Sequence, residues 1–450
     1  MKILCHVAPW CIEQFRTIAF SFSSSAKVRL VSGFRKLDET GLIDAYYQYV
    51  GHERVSAEND LRDDEVILRC RLLRSLPTVE AKYHVSAMRR AMREMLLREK
   101  PDVILCESVD QYLHDLLFQE AKELGVVSYG LIRTFVNGYF RISERGEMQR
   151  LRKPDEDEVE TVLHKLIDQE YLPKNLVSLK RNLTLTYLRI YASNHVRVIY
   201  FFFLRILSNE FFNYHYWAST RTTRKVYTHL VPKLTLGDPD WRKRISTSSK
   251  PVIFIPLQHF PEATIDYWAE DCEMVDYLKQ LTELIQSLGD DFQILLKEHP
   301  GVWGFRHPKF YKMLGQSSAS IIWCPTKVRA QECIDICNAV LVWTGSIGFE
   351  AALRGKPVLA TCTPYYASGK RFKKVSLQTS NYEIVNFIKD TNNIPVSFHE
   401  QYELVRHFLS GSIPGVMQND GTFNLSNPID VENAKKVGEW LRFIYDDRTA

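Results

Sequence analysis

Short apolar runs recur along this chain, and longer amphipathic segments separate them. In the first third the apolar runs cover residues 2–7, 28–31, 101–106 and 125–130, and helical patterns cover 85–97 and 112–124. A strand that is buried on both faces gives such a run, and an amphipathic segment between two runs favours a covering helix. This alternation predicts an α/β fold with parallel sheets and helices on both faces.

The same rhythm restarts after residue 250. Predicted strands are 252–256, 293–297, 320–323, 339–343 and 357–360, and predicted helices are 271–288, 308–314, 330–337 and 347–354. We therefore expect a second doubly wound domain.

Changes in composition divide the chain. We predict an N-terminal Rossmann-like domain over residues 1–240, with a helical, aromatic insert at about 155–230. A basic and Ser/Thr-rich linker at 237–250 leads into a second Rossmann-like domain over 241–425. The last segment, 426–450, contains a helical pattern that we expect to pack back towards the domain junction.

Composition excludes several classes of protein. The 450 residues are 45% hydrophobic and carry 58 Lys and Arg against 54 Asp and Glu, which is ordinary for a globular chain and too balanced to favour a nucleic-acid partner. Nine cysteines without regular spacing favour a reducing compartment over a disulfide framework. No signal-peptide pattern opens the sequence, because His6, Pro9 and Glu13 interrupt it. We expect a cytoplasmic protein.

The segment 187–217 carries eleven aromatic residues together with Arg189, Arg197 and Arg205. It holds no apolar run long enough to span a bilayer. A basic, aromatic helix can lie on an anionic membrane surface, which predicts peripheral membrane contact at most. The alternative is an insert packed on the N-terminal domain, and it is favoured because apolar residues surround the helix instead of forming one stripe.

The strongest local signal is the stretch 339–357, in which an apolar strand runs into Thr344-Gly345-Ser346 and a helix begins at once. Backbone N–H groups and a positive helix end then point outward, which favours an anion. Gly345 allows a ligand to approach, Ser346 can bind a phosphate oxygen, and Glu350 can bind ribose hydroxyls. The alternative is an ordinary turn in which Ser346 caps the helix.

A second signal follows the strand 293–297. Pro300 stops that strand and leaves Lys297 and His299 near the carboxyl edge of the sheet, where open α/β sheets bind ligands. Two such groups facing the helix after Ser346 would hold a phosphate, although a single histidine at a strand end is more often structural.

Polar residues also follow other strands. Gln258, His259 and Glu262 come after the strand 252–256, where the alternative is a proline-bounded turn. In the N-terminal half Glu107 and Asp110 follow one strand, and Arg133 and Asn137 follow the next. Those carboxylates face the ligand edge if the sheet is parallel, whereas Ser108 or Asp110 capping a helix is the competing explanation.

Two patterns suggest a metal site but do not complete one. Cys333 and Cys337 lie on an apolar helix face with Cys324 upstream, so buried free thiols are preferred. The acidic strings 155–157 and 238–240 lie in polar or proline-containing segments and are interpreted as solvated loops. We predict no metal.

Three groups of residues together resemble the capsular polysaccharide biosynthesis family, which includes transferases that move Kdo from CMP-Kdo onto a surface glycan or its lipid primer. They are 254–258 with 261–264, 296–300, and 343–353 with 355–358. The match in order and spacing covers about 251–360, and 101–138 is similar more weakly. The motif His299-Pro300 is also similar to one in bacterial sialyltransferases and in CDP-glycerol polymerases.

The resemblance implies a GT-B architecture, in which two Rossmann-like domains face a cleft and the C-terminal domain holds most of the nucleotide. It implies that His299-Pro300 and the loop 344–346 bind the nucleotide phosphate. We assign Gln258, Lys297 and Glu350 to the same nucleotide site.

The remaining candidates take other roles. Glu107, Asp110 and His259 are the candidate catalytic groups, because transfer needs a base or a nucleophile. Arg133, Asn137 and Glu262 are assigned to the acceptor or the donor sugar.

The predicted function is therefore metal-independent glycosyl transfer from a CMP-activated sugar, Kdo or a related acidic sugar, to a surface polysaccharide or lipid-linked acceptor. The nucleotide sugar is a substrate, and no cofactor is expected. The alternatives are glycerophosphate transfer from CDP-glycerol and a sugar-nucleotide epimerase of the same fold. The predicted partners are the nucleotide sugar and a glycan or glycolipid acceptor, at the inner face of the membrane.

Overall fold

A computed structural model describes residues 1–51, 61–167, 183–226, 237–300, 306–315, 320–418 and 421–449. The strands are β1 (Lys2–His6), β2 (Lys27–Val31), β3 (Val103–Glu107), β4 (Val127–Arg133), β5 (Tyr139–Ile142), β6 (Val252–Pro256), β7 (Gln293–Lys297), β8 (Ser320–Cys324), β9 (Ala339–Val342), β10 (Val358–Ala360), β11 (Phe372–Lys374) and β12 (Ile413–Pro414).

The α-helices over the same residues are α1 (Ile12–Phe22), α2 (Leu42–Gly51), α3 (Leu61–Arg69), α4 (Thr78–Glu99), α5 (Tyr112–Glu123), α6 (Glu156–Ile167), α7 (Leu183–Leu207), α8 (Tyr214–Val226), α9 (Trp241–Ser246), α10 (Ala263–Asp266), α11 (Tyr277–Leu288), α12 (Pro308–Gly315), α13 (Ala330–Ile336), α14 (Ile347–Leu353), α15 (Asn381–Asn392), α16 (Phe398–Ser410) and α17 (Pro428–Thr449).

The chain divides into two compact units. The first comprises Met1–Lys153, Arg197–Thr222 and Ser410–Ala450, and the second comprises Pro154–Val196 and Thr223–Leu409. This division differs from the one drawn on the sequence, because the last forty or so residues join the first unit. The sequence-based boundaries follow composition, which does not show which core a distant segment enters.

The first unit is built on a six-stranded sheet in the order β12-β5-β4-β3-β1-β2. Strands β2, β1, β3 and β4 are parallel, as predicted, with Cys5 opposite Leu105 and Cys106 opposite Gly130. The two remaining strands, β5 and β12, are antiparallel. The chain crosses from one side of β1 to the other, so the strand order reverses between β1 and β3.

Helix α17 completes the core of the first unit. Its apolar residues Val437 and Leu441 are buried in the same cluster as Phe15 and Ile18 of α1. Gly438 lies at the closest approach, since a Cβ atom there would stand 2.3 Å from the Ile18 carbonyl oxygen. Only glycine therefore permits this packing distance.

The second unit is built on a six-stranded parallel sheet in the order β11-β10-β9-β6-β7-β8. Each pair of neighbouring strands is parallel. Counted within the unit, this is the order 3-2-1-4-5-6 of Rossmann folds, with the reversal between β6 and β9. The α/β class with two Rossmann-like units is thus confirmed, whereas the cleft between them stays a prediction.

Two segments differ from their predicted structure. The predicted linker contains α9, because Trp241 and Ile245 stand four residues apart and are both buried. The acidic string 155–157 is exposed but is not a loop, since α6 begins at Glu156. Acidic side chains in a first helical turn interact favourably with the helix dipole, which explains a helix there.

The aromatic segment forms α7 and the start of α8. Many large apolar side chains of α7 are about half exposed or more, among them Val196, Ile199, Tyr200, Phe202, Phe203, Ile206 and Leu207. Trp217 of α8 is buried instead and packs on His84 of α4. The described helices include none that is both long enough and apolar enough to cross a bilayer.

Candidate nucleotide-binding edge

The carboxyl edge of the second sheet gathers most of the candidate residues. Strands β6 and β9 are neighbours, and the strand order reverses between them. In open α/β sheets, ligands bind outside the carboxyl ends of the strands at such a reversal. The loops that follow β6 and β9 carry Gln258 to Glu262 and Thr344 to Ser346, and His299 follows β7, the other neighbour of β6.

Gln258 ties the two loops together across the reversal. Its Nε2 donates to the Oγ1 atoms of Thr264, at 2.6 Å, and Thr344, at 2.8 Å. In return, the Thr344 N–H donates to Gln258 Oε1 at 3.3 Å, and the Thr344 hydroxyl donates to the Thr264 carbonyl at 3.0 Å. The side chains of Gln258 and Thr344 are therefore used to hold the loops in place.

Glu262 belongs to the same network. Thr264 donates its hydroxyl to Glu262 Oε2 at 2.6 Å, and Glu262 is the N-cap residue of α10. Tyr277 of α11 supplies a further support, because its hydroxyl accepts the Gln258 N–H at 3.0 Å. The polar side chains after β6 thus form a connected set and not a simple proline-bounded turn.

A buried ion pair holds the loop after β7. Arg306 donates from Nε to both carboxylate oxygens of Glu298, at 3.0 and 2.9 Å, and both side chains are fully buried. Arg306 Nη2 also donates to the Gln258 carbonyl at 2.6 Å, and Glu298 accepts the His299 N–H at 2.7 Å. One ion pair therefore fixes the backbone at both Gln258 and His299.

The rings of His259 and His299 meet edge to face, with centroids 5.2 Å apart at 88°. Burial, together with smaller effects of His259, Arg306 and Lys297, lowers the pKa of His299 to about 3. His299 is therefore a neutral imidazole near neutral pH. It can donate one ring N–H to a ligand, but it carries no positive charge with which to attract a phosphate.

The loop 344–346 leaves room for a ligand. A Cβ atom at Gly345 would meet no atom within 4 Å, whereas one at Gly348 would stand 2.5 Å from the Tyr366 hydroxyl. Ser346 is the N-cap residue of α14, but its side chain makes no capping hydrogen bond. The capping alternative is thus not supported for Ser346.

Lys297 and Glu350 lie apart from this network. Lys297 is buried, its Nζ donates to the Thr326 carbonyl at 3.1 Å, and burial lowers its pKa. Glu350 accepts from Gln331 of α13 at 2.8 Å, and burial raises its pKa. The structure gives each of these side chains a partner inside the protein.

Pro300 is half-buried and directly follows His299. Its missing N–H and fixed φ prevent β7 from continuing, so it shapes the loop that carries the imidazole.

In the first unit, the candidate carboxylates follow β3. Glu107 is half-buried at the end of the strand, and Asp110 is exposed and paired with Arg71. Helix α5 has Gln111 at its N-cap without a side-chain capping bond, so neither Ser108 nor Asp110 caps it. The sheet is parallel at β3, so the condition that brings these carboxylates to the carboxyl edge is met.

Arg133 ends β4, Asn137 follows it, and both side chains are exposed. Arg133 donates to the Gln418 carbonyl at 3.3 Å, within the same unit. Their assignment to the acceptor or the donor sugar stays a prediction.

All nine cysteines are free thiols, as expected. Cys324 and Cys333 lie 3.4 Å apart between their sulfur atoms, and Cys337 donates to the Ile334 carbonyl. This bears out the preference for buried thiols on α13.

Sequence reasoning missed three supporting side chains, Thr264, Tyr277 and Arg306. In the sequence, Thr264 lies in an ordinary polar segment and Tyr277 in an ordinary helical pattern, so neither is marked as a supporting residue. Arg306 has one signal: a glutamate that directly follows the buried strand β7 needs a cationic partner if it is itself buried.

We expect acid to destabilise the second unit through His299. Between about pH 6.5 and pH 3 the unfolded chain binds a proton at this residue that the folded chain does not. As far as His299 determines it, the free energy of unfolding is therefore highest above pH ~6.5 and falls as the pH is lowered towards 3. His299→Gln should flatten the dependence of Tm on pH over this range. His399→Gln, at an exposed position on α16, is the matched control and should keep the wild-type slope. Equal slopes for all three proteins in calorimetric scans would contradict this expectation.

Comparison with known proteins gives one family match. Residues 190–370 match the model of the family described as capsule polysaccharide biosynthesis protein. A comparison with curated protein sequences finds no match.

Solved structures give distant similarities. Thermosulfurimonas dismutans KpsC, a beta Kdo 2,7 transferase, is 14% identical, with 98% of this chain and 100% of that chain covered and a TM-score of 0.38. The UDP-GlcNAc 2-epimerase of Methanocaldococcus jannaschii is 11% identical, with 91% of this chain and 99% of that chain covered and a TM-score of 0.27. The UDP-GlcNAc 2-epimerase of Neisseria meningitidis is 12% identical, with 100% of both chains covered and a TM-score of 0.26.

Identities and TM-scores this low establish no activity for this chain. The family match, in contrast, includes the whole loop network from Gln258 to Ser346. The resemblance predicted from the sequence is therefore confirmed over residues 190–370, and this segment is similar to the capsule polysaccharide biosynthesis proteins.

Proposed function

We propose that the chain is a glycosyltransferase of surface polysaccharide assembly that uses a CMP-activated acidic sugar, such as Kdo, as its donor. The observation that carries the proposal is the tie between Gln258 and Thr344 across the reversal of the second sheet, with His299 and Gly345 at the same edge. The family match over these residues supports a role in capsule synthesis.

The proposed edge binds the phosphate of the donor nucleotide. Gly345 admits an oxygen close to the backbone, Ser346 offers a hydroxyl that does not cap α14, and the imidazole of His299 offers a neutral N–H. Negative charge develops on this phosphate as the sugar leaves. Donors that are already fixed by the protein stabilise that charge in the transition state more than in the ground state.

The Glu298–Arg306 pair gives the edge its rigidity. Because it is buried and bonded to both loops, the donors need little reorganisation when the charge develops. Held in this way, they stabilise the leaving phosphate without a metal ion, and the proposed transfer is metal-independent at this step.

A carboxylate of the first unit completes the proposed chemistry. Transfer requires either a base for the acceptor hydroxyl or a nucleophile for the sugar. Glu107 is the first choice, and Asp110, which is paired with Arg71, is the second. His259 is next, and Glu262, Arg133 and Asn137 are assigned to the sugar or the acceptor.

Nucleotide preference is the first test. Among CMP, CDP, UDP and GDP, CMP should raise Tm most, because a ligand that binds only the folded state adds about 2.7 kcal/mol of stability at 100 times its Kd.

His299→Ala should lower turnover about 10²–10³-fold with the folded state intact, as is typical for loss of one such donor. A large fall in Tm with nucleotide binding retained would instead make His299 structural.

A glycine pair provides the matched control. Gly345→Val places a side chain in open space, so it should keep Tm and abolish the CMP-dependent rise in Tm, whereas Gly348→Val should unfold the unit because its site is filled.

Incubating the donor alone separates the reaction classes: an epimerase converts it without acceptor, and a transferase does not. Transfer of glycerophosphate from CDP-glycerol would identify the remaining alternative.

Glu107→Gln should lower turnover by at least about 10²-fold without changing the CMP-dependent rise in Tm, since general acid–base groups contribute this much. Asp110→Asn is the paired comparison and should have the smaller effect. If both variants turn over at near wild-type rates, the reacting group lies elsewhere and His259 is tested next.

We also propose that α7 contacts the cytoplasmic face of a membrane, where a lipid-linked acceptor would be reached. The half of α7 from Val196 to Leu207 exposes Phe202 and Phe203 at 51% and 56%. Arg197 is exposed on the same half. Exposed aromatic side chains beside a cation favour the surface of an anionic bilayer.

Vesicles that contain phosphatidylserine should bind the protein, and high salt or an alkaline wash should release it. Phe203→Asp should weaken binding about tenfold, because an apolar side chain is worth ~1.5–3 kcal/mol when fully buried. Phe443→Asp changes a phenylalanine of α17 that is 60% exposed and should bind like the wild type. Equal binding by both variants, or release only by detergent, would refute the proposed contact.

A further inference from the structure

Three potential metal ligands meet inside the first unit. His6 ends β1, Cys106 lies on the neighbouring strand β3, and His114 lies in the first turn of α5. One ligand atom from each stands within 4.8 Å of the other two. The two imidazole rings meet edge to face, with centroids 4.5 Å apart.

The cluster is closed to solvent. His6 is 5% exposed, His114 is 4% exposed, and Cys106 is fully buried. A substrate cannot reach the Cys106 thiol, and burial raises the pKa of that thiol, so the trio does not form a nucleophile with its base. The arrangement needs a different explanation.

Two buried ring nitrogens in the cluster, His6 Nε2 and His114 Nδ1, make no hydrogen bond of normal geometry within the described residues. The backbone of Ser108 lies beside the His114 ring and interacts with it. Leaving a buried polar atom unpaired is costly, and native proteins rarely do so without a reason. Each of these nitrogens belongs to a histidine that offers one ligand atom to the cluster.

The second nitrogen of His114 is supported as it is in metal sites. Its Nε2 lies 2.9 Å from the side-chain amide of Gln111. The Gln111 atom at this distance is Nε2, and a flip of the amide, which exchanges its nitrogen and oxygen, lets His114 donate its Nε2 proton to Gln111 Oε1. The lone pair of Nδ1 is then directed at the cluster, which is how outer partners orient metal-bound histidines.

We propose that His6, Cys106 and His114 bind a zinc ion. Zinc prefers nitrogen and sulfur ligands in tetrahedral geometry, with Zn–N near 2.0–2.1 Å and Zn–S near 2.3 Å, so its ligand atoms stand about 3.3–3.6 Å apart. Closing from within 4.8 Å requires movements of about 1 Å, within reach of small side-chain rotations.

Binding exchanges a proton for the ion. The Cys106 thiol loses its proton to solvent and the thiolate takes the zinc, while the two imidazoles bind as neutral ligands. Zinc sites with three protein ligands commonly take a water as the fourth, and here that water would have to be enclosed with the ion.

The ion would join β1, β3 and α5 at the point where the strand order of the first sheet reverses. The segment between Cys106 and His114 contains both Glu107 and Asp110, so the ion would fix both ends of that segment. The inference does not depend on the proposed function, because the site is defined by its ligands alone. Sequence patterns miss it because His6 and His114 are far apart in the chain.

The test measures zinc in the full chain, purified without a polyhistidine tag or chelator. Elemental analysis should find about one zinc per chain, and Cys106→Ala should reduce this to about a tenth or less. Cys5→Ala is the matched control, because Cys5 is also fully buried on β1 but is not part of the cluster, and it should keep its zinc. Gln111→Ala should weaken zinc binding about 10–100-fold.

Cobalt keeps the test decisive if a variant does not fold. Wild-type protein stripped by chelator and reloaded with Co²⁺ should show a thiolate-to-cobalt charge-transfer band and the visible bands of tetrahedral cobalt. The proposal is overturned by the absence of the charge-transfer band, by less than about a tenth of a zinc per chain in the wild type, or by equal zinc in Cys106→Ala and Cys5→Ala.

Discussion

The ion pair between Glu298 and Arg306 determines the shape of the candidate nucleotide-binding edge. Both side chains are fully buried, and each also bonds the backbone of a different loop, at His299 and at Gln258. Removing one partner of such a pair commonly costs about 3–5 kcal/mol, because the other charge stays buried. Apolar side chains in place of this pair could not make the hydrogen bonds that join it to the two loops, so they would not hold the edge in the same way.

Both sheets close their point of reversal with polar side chains, by different chemistry. In the second unit, an amide and two hydroxyls join β6 to β9 through Gln258. In the first, the side chains of His6 and Cys106 converge with a helix residue between β1 and β3. Parallel strands diverge there and leave a gap, so side chains that fill it need both a defined shape and a defined set of partners.

Much of the fold follows from the sequence because its strands are buried on both faces. The five residues of β7, Gln293–Lys297, are all buried, and such runs stand out as continuous apolar segments. The short antiparallel strands and α9 were missed, since two or three buried residues leave little periodicity. The aromatic insert was predicted as a packed element, yet α7 leaves much of its apolar surface exposed.

The candidate site was predictable in position but not in its internal bonding. Polar residues after parallel strands must share one edge, which located Gln258, His299 and Thr344. Their partners depend on contacts between distant residues, since Gln258 and Thr344 are 86 positions apart, and a single sequence carries no record of such pairs. For the same reason Lys297 was assigned to the ligand, whereas the structure turns it towards the Thr326 carbonyl.

The position of α17 has a consequence for how the chain is made. The helix joins the core of a unit whose first strand is synthesised more than 400 residues earlier, and the whole second sheet is translated in between. During synthesis the surface of α1 around Ile18 therefore stays exposed until α17 is made, while the second unit is already able to fold. Domains usually fold in the order of synthesis, but here the N-terminal unit is completed last. The ribosome-bound intermediate would then expose an apolar surface at its beginning, which is where a chaperone would be needed.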